Sequence, residues 1–173
     1  LGAKPIFVDI DRQTWCVDAS AIEKNITRRT RVVIATHLYG NLADIDPIKE
    51  LTKRHGIYLV EDAAEAMGSY YKGRHAGTFG DFGFFSFHGT KTITSGEGGV
   101  LITNDQAIAD RVRELNNHGR RLGEGRQFFA TDIGYKFKMS NIQAALVNSQ
   151  LMRINEILEE KMSILDRYRK NLG

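Results

Sequence analysis

Cysteine is almost absent from this chain. Cys16 is the only one among 173 residues, which excludes an internal disulfide framework and suits a reducing, cytoplasmic compartment. Long hydrophobic runs are missing as well: nothing approaches the roughly 18 apolar residues that a membrane helix needs. The opening Leu1-Gly2-Ala3-Lys4-Pro5-Ile6-Phe7-Val8 reads as the start of a strand and not as a signal peptide. Charge of one sign is also lacking. The net charge is only +3 and the basic residues are interspersed with acids, which argues against a surface that coats nucleic acid. The pairs Arg28-Arg29 and Arg120-Arg121, with Lys136 and Lys138, are able to meet a phosphate, although each taken alone reads as solvated surface charge. There is no internal repeat and no low-complexity tract. Hydrophobic residues at 42% and charged residues at 26% describe a globular chain, and its length fits one domain with a sizeable core. No initiator methionine opens it and a long helical pattern closes it, so a piece of a longer protein is expected.

The hydrophobic pattern alternates between two kinds of element. Ile6 to Ile10 predicts a short strand, and Ala19 to Asn25 a helix capped by Asp18. Arg31 to Thr36 is a continuous β-branched run of the fully buried strand type. After the loop His37-Leu38-Tyr39-Gly40, Asp46-Pro47 opens a helix with an acidic cap and a first-turn proline, ending near His55-Gly56. Ile57 to Val60 is a third buried strand. Strand, helix, strand with short connections predicts an α/β fold with a mostly parallel sheet flanked by helices. Glycine-punctuated turns follow from Tyr70 to Gly80, then strands over Phe82 to Phe87 and Gly99 to Thr103, and a helix over Asp105 to Asn116. His118 to Gly134 reads as a glycine-rich linker. Ser140-Asn141-Ile142-Gln143 is a capping box that opens about 30 residues of helical pattern, long enough to predict a break. Ile142, Leu146, Ile154, Leu158 and Leu165 form its apolar stripe.

Chemistry concentrates around Lys91, which stands between an aromatic strand and a loop of small residues in Ser86-Phe87-His88-Gly89-Thr90-Lys91. A lysine so placed is suited to a desolvated amine aimed into a pocket. Gly96-Glu97-Gly98-Gly99 does not match the dinucleotide pattern, and Gly89-Thr90-Lys91-Thr92 lacks the spacing of a phosphate-binding P-loop. The five histidines are scattered without paired ligand spacing, so no metal site is predicted. A Ser-His-Asp arrangement stays open, although Ser86 lacks a nucleophile elbow. Asp62 sits at a strand end, where ligands of open α/β sheets bind. The set suits pyridoxal phosphate. Lys91 would form the Schiff base and then act as general base, and Asp62 would pair with the pyridinium. Ser86 would give its hydroxyl to the phosphate. Glu65, three residues after Asp62, would reach the phenolic oxygen if the backbone turns helically there. Each residue also has a bland alternative: a helix-capping acid for Asp62, a solvated helix face for Glu65, a turn hydroxyl for Ser86 and a surface loop for Lys91. Their joint occurrence in this order favours the cofactor.

The segments Val60-Glu61-Asp62-Ala63-Ala64-Glu65-Ala66-Met67-Gly68-Ser69, Phe85 to Lys91 and Thr94 to Gly99 resemble the DegT/StrS family of sugar aminotransferases. Further matching stretches are Gly2 to Asp9, His37 to Gly40, Asn117 to Arg120 and Ser140 to Ala145, so the likeness spans essentially the whole chain. The resemblance implies the large cofactor domain of a fold-type-I, aspartate aminotransferase-like enzyme. Residues 1–173 would lack a segment before residue 1 and a small domain after the helix over about 140–170. It implies pyridoxal phosphate on Lys91, with Asp62, Glu65 and Ser86 as its other ligands. The implied reaction passes an amino group, usually from glutamate, to a nucleotide-linked keto-deoxysugar in a homodimer with shared sites, with no nucleic-acid or membrane partner. Ser-Phe-His-Gly-Thr-Lys with Glu65 most resembles the perosamine synthase branch, which aminates C4 of GDP-4-keto-6-deoxymannose. The chain departs from many members in two ways. Glu65 replaces a glutamine, and Lys136 stands where an asparagine reaches the partner's phosphate; a cation there can serve that phosphate too. A dehydratase relative would carry histidine in place of Lys91. A non-catalytic regulator or sugar-nucleotide-binding protein would not need a reactive amine.

Overall fold

Asp18 starts the first helix, α1 (Ala19–Asn25), by accepting from the Ala21 N–H, as its side-chain chemistry predicts. This and everything below refer to a computed structural model that describes residues 2–121, 123 and 129–172. The strand predicted over Ile6 to Ile10 does not form. Asp11 accepts from the Gln13 and Thr14 N–H groups and turns the chain back on itself. Ile10 therefore makes one isolated bridge to Val17 and none to the main sheet.

The main sheet has four strands, β1 (Val32–Thr36), β2 (Tyr58–Asp62), β5 (Phe82–Ser86) and β6 (Gly99–Ile102), in the order β1-β2-β5-β6. The first three are parallel and β6 is antiparallel, so the sheet is mostly parallel and helix-flanked, as predicted. Between β1 and β2 lies α2 (Ile45–His55), which buries Ile45, Ile48, Leu51 and Thr52, one helical face. Gly56 ends it in the left-handed conformation with φ 62°, where a side chain is disfavoured. The cap is Asp44 and not Asp46. Asp44 accepts the Tyr71 hydroxyl instead of a helix N–H, while Asp46, in the first turn, pairs with Lys72. Two short strands, β3 (Tyr70–Tyr71) and β4 (Arg74–His75), form a hairpin between β2 and β5, turning at Lys72-Gly73 with positive φ at both.

The principal core packs α1 and α2 against one face of β1 and β2 through Ile22, Ile45, Ile48, Leu51, Val33, Ala35 and Leu59. β1 was expected to be buried on both faces. Instead Val32 is 44% and Ile34 56% exposed, because both helices lie on the opposite face, against Val33 and Ala35. The side chains of Asp62 and, in register, Thr36 emerge on the face that these helices leave open.

After β6, Asp105 caps α3 (Gln106–Asn116) by accepting from the Ala107 and Ile108 N–H groups. The predicted linker over His118 to Gly134 lies partly outside the described residues. Its described ends are not linker-like. The Tyr135 N–H donates to the Leu115 carbonyl (2.7 Å) and the Thr131 N–H to that of Gly119 (2.9 Å). Gly119 and Gly134 approach so closely that a Cβ on Gly134 would lie 1.9 Å from the Gly119 nitrogen. Packing of two backbones, and not flexibility, is what these glycines serve.

The final helical pattern is broken, as predicted, into α4 (Asn141–Leu151) and α5 (Ile154–Leu172). Ser140 forms the capping box with Gln143. The predicted stripe is buried only in part: Ile154 packs against Phe87, Ile93 and Val147, and Leu158 is half-buried. Ile142 is 76% exposed, and Val147 is the residue of α4 that reaches the interior, against Phe87 and Ile93. No helix of the described residues is long and apolar enough to cross a membrane.

Candidate functional site

Asp62 and Ser86 are the last residues of β2 and β5, parallel neighbours whose carboxyl ends lie on one edge of the sheet. Register pairs Asp62 with Phe84, so Ser86, two residues on, shares its face. No helix follows Asp62, which removes the helix-cap alternative: the chain makes successive turns instead, with the Ala66 N–H donating to Ala63 and Ser69 to Ala66 (both 3.0 Å). Asp62 Oδ1 accepts from the Ala64 N–H at 3.1 Å, and its Oδ2 meets no hydrogen-bond donor among the described residues. One carboxylate oxygen is thus anchored while the other remains available to a cation. The Ser86 hydroxyl oxygen accepts from the His88 N–H at 3.2 Å, so its own proton is available to an anion.

These turns bring Glu65 to Lys91. The Lys91 Nζ donates to Glu65 Oε1 at 3.1 Å, with the two side chains 21% and 32% exposed. The ammonium is therefore partly withdrawn from water and already partnered. Glu65 Oε2 accepts from the Tyr39 N–H at 3.1 Å. That backbone amide, and then the Lys91 ammonium, lower the pKa of Glu65 below the usual glutamate range. Tyr39 supplies the amide from an uncommon conformation, φ 52°, just before Gly40 at φ 85°. Non-glycine residues visit this region at some cost, commonly at functional sites. No hydrogen bond joins Asp62 or Ser86 to Lys91 or Glu65 among the described residues. The sequence-predicted four therefore form one direct pair and two residues on neighbouring strand ends.

The loop carrying Lys91 is held from both sides. The Lys91 N–H donates to the His88 carbonyl (2.9 Å) and the Ser95 N–H to that of Phe87 (3.0 Å). From α4, Gln150 clamps Thr94: its Oε1 accepts from the Thr94 N–H at 3.1 Å, and its Nε2 donates to the Thr94 carbonyl at 2.7 Å. Gln143 Nε2 donates to the Glu97 carbonyl at 3.0 Å. Phe87 and Ile93 pack beneath the loop against Val147. Lys136 is exposed, in the segment where Tyr135 and Phe137 stack at 5.1 Å.

Sequence reasoning missed a second acidic feature. Glu61 precedes Asp62, and strand alternation sends the two carboxylates to opposite faces. Glu61 is fully buried together with His37. Its carboxylate accepts from the Gly77 (2.8 Å), Phe79 (2.5 Å) and Gly80 (2.6 Å) N–H groups. The His37 Nε2 lies 3.1 Å away. Since His37 Nδ1 accepts from the Ala43 N–H (3.2 Å), the ring proton resides on Nε2, which donates to Glu61. Burial acts to raise the Glu61 pKa, but the bonds from His37, Gly80, Gly77 and Phe79 outweigh it and hold the group below its usual range. The alternation of acids at Glu61-Asp62 was the available signal, yet nothing local to it reveals the turn that covers Glu61.

A lysine amine paired with one carboxylate, with a second carboxylate and a hydroxyl on the adjoining strand ends, is a donor set that fits pyridoxal phosphate. Asp62 has an open oxygen for a protonated ring nitrogen, and Ser86 has an unused proton for a phosphate oxygen. The model of the DegT/DnrJ/EryC1/StrS aminotransferase family matches residues 1–173. Over 172 residues, 99% of the chain, it is 46% identical to a GDP-perosamine synthase of Escherichia coli O157:H7, covering 47% of that protein. It is 41% identical to a GDP-perosamine synthase of Caulobacter vibrioides over the same length, covering 46% of that one. The chain thus spans about half the length of the curated relatives it matches. Among solved structures, the aminotransferase TlmJ from Streptoalloteichus hindustanus superposes with a TM-score of 0.90 at 33% identity, over 98% of this chain and 46% of that one. A match along the entire chain, on a sheet whose edge gathers Asp62, Glu65, Ser86 and Lys91, means that this chain belongs to the DegT/DnrJ/EryC1/StrS aminotransferase family.

Proposed function

We propose that the protein is an aminotransferase that moves an amino group, from glutamate, onto a nucleotide-linked 4-keto-6-deoxysugar, in the manner of a GDP-perosamine synthase. The observation that carries this reading is the Lys91–Glu65 pair at 3.1 Å on the carboxyl edge of the sheet, with Asp62 and Ser86 on the adjoining strand ends. Likeness to two GDP-perosamine synthases at 46% and 41% identity supports the sugar and its nucleotide.

Pyridoxal phosphate, when bound, supplies an electron sink for the carbon that gains or loses nitrogen. Lys91 would hold it covalently, and its Nζ would serve as the base that moves a proton at the substrate carbon. Asp62 would pair with the protonated ring nitrogen through the carboxylate oxygen that Ala64 leaves open. Glu65, held by the Tyr39 N–H, would hydrogen-bond the ring oxygen. Ser86 would donate its hydroxyl proton to the phosphate. We assign the working form to a cytoplasmic homodimer.

Borohydride reduction of the intact protein should fix a pyridoxyl group on Lys91, found by peptide mapping, and Lys91→Ala should lose it together with all transamination. Incubation with glutamate should aminate a GDP-linked keto sugar faster than dTDP- or UDP-linked ones. Absence of any adduct at Lys91 would sink the mechanism, and a preference for another nucleotide would sink the substrate assignment alone.

A further inference from the structure

The buried pair Glu61–His37 lies on the opposite face of β2 from Asp62, yet it is linked to Lys91 through the backbone. Its anchor is rigid. Glu61 is locked by three N–H groups of the turn over residues 77–80. That turn is seated on β5, where a Cβ on Gly83 would lie 2.3 Å from the Gly77 carbonyl oxygen. His37 hangs from this anchor by Nε2, and its Nδ1 takes the Ala43 N–H. The imidazole thereby staples both ends of the loop over residues 37–43. The same loop is pinned at His37, whose N–H donates to the Asp62 carbonyl (2.9 Å), and at Gly40, whose carbonyl accepts the Ser69 hydroxyl (2.8 Å). Between these pins Tyr39 holds its φ of 52° and points its N–H at Glu65 Oε2. Glu65 Oε1 in turn receives Lys91 Nζ.

We infer that Glu61 and His37 are positioning residues: they fix the loop over residues 37–43 so that the Tyr39 N–H orients Glu65, and Glu65 orients the Lys91 amine. The inference rests on the reading of Lys91 as the reactive amine, and it concerns residues that touch neither substrate nor cofactor. A neutral imidazole with a donor on one nitrogen and an acceptor on the other suits the task, because it spans two groups that face it from opposite sides. The low pKa of Glu65 agrees with the arrangement, since the Tyr39 N–H is its largest cause. The charged or titratable groups on the path are Glu61, His37, Tyr39, Glu65 and Lys91, and the Cys16 thiol donates to the Asn41 carbonyl of the same loop. Asp62 and His88 flank it from the end of β2 and from the lysine loop.

Competitive acylation of the cofactor-free intact protein reads the linkage without any need for bound cofactor. A Lys91 amine that donates to Glu65 must leave its partner before it attacks an anhydride, so its labelling relative to surface lysines such as Lys24 and Lys170 reports the pair. His37→Ala should raise the relative labelling of Lys91 several-fold, approaching the level of Glu65→Gln. In the Glu65→Gln background it should add nothing further. His37→Gln, which keeps a donor and an acceptor and guards against a misfolded alanine variant, should restore much of the wild-type rate. Unchanged labelling in folded His37→Ala, or labelling in His37→Gln as fast as in His37→Ala, would overturn the inference. An acceleration of the same size in the Glu65→Gln background would do so too, since it would mean general loosening and no path through Glu65. Borohydride mapping stands apart: its failure would remove the role of Lys91 while the labelling still reports the linkage.

Discussion

Glu61 shows how one residue can hold a fold and a site at once. Its carboxylate takes one imidazole and three backbone N–H groups with no access to water. Deleting it strands all four donors in the interior, where each unpaired group costs on the order of 1–3 kcal/mol. Glu61→Ala should therefore lower the unfolding free energy by about 3–5 kcal/mol, measured by urea denaturation. A loss below about 1 kcal/mol would mean that the carboxylate is no better than an exposed partner. The neighbouring Asp62 makes a contrast: its carboxylate takes one N–H, from Ala64, and keeps its other oxygen without a donor among the described residues. Adjacent acids on one strand thus divide into a buried anchor and a carboxylate with an open oxygen, because successive side chains point to opposite faces. Cys16, also buried, donates its thiol to the Thr14 and Asn41 carbonyls, and burial pushes its pKa up.

At the scale of elements, local chemistry predicted much of what forms. Asp18 and Ser140 cap the helices they were expected to cap, Asp105 caps a helix it was expected to lie within, and Gly56 terminates α2 through its positive φ. These signals act within a few residues, so they survive any tertiary context. Ser140→Ala should cost about 1 kcal/mol of stability in urea denaturation, with Ser140→Thr close to wild type; equal loss from both substitutions would contradict the capping role. Where the forecast missed, a distant partner had decided. The Ile6 to Ile10 segment has strand-forming residues but no strand beside it. The run from Val32 to Thr36 looked doubly buried, yet α1 and α2 cover one face only. In α4, Val147 and not the Ile142–Leu146 stripe faces the interior, because Gln143 and Gln150 fasten the helix to the loop that carries Lys91.

The whole molecule carries a sensitivity to acid that follows from its carboxylates. Hydrogen bonds from Thr14 lower Asp11, the Ser20 hydroxyl lowers Asp18, Lys72 lowers Asp46, and Arg111 lowers Asp132. Glu61 and Glu65 are depressed as described above. A group whose pKa is lower folded than unfolded contributes its full stability above the unfolded value and loses it as pH falls through the folded one. All six act in that direction. The urea midpoint should therefore fall steadily as pH drops from about 5 toward 2. Added salt should blunt the share of the exposed pairs but not that of buried Glu61. A midpoint that stays level across this range would show that these bonds are no stronger in the folded state.

The sequence by itself determined the parts whose causes are local: helix starts and stops, the α/β alternation and the punctuated turns, and it supplied the order of Asp62, Glu65, Ser86 and Lys91 on which the proposed function rests. Tertiary structure alone decided how those residues are held. Tyr39 reaches Glu65 across 26 positions of sequence, Gln150 reaches Thr94 across 56, and Glu61 finds its donors 16 to 19 residues away. Such bonds leave no periodic trace, because a backbone N–H belongs to every residue alike and only packing determines which one faces a buried carboxylate. The lysine proposed as the reactive amine is written in the chain; the partners that hold it are set by the fold.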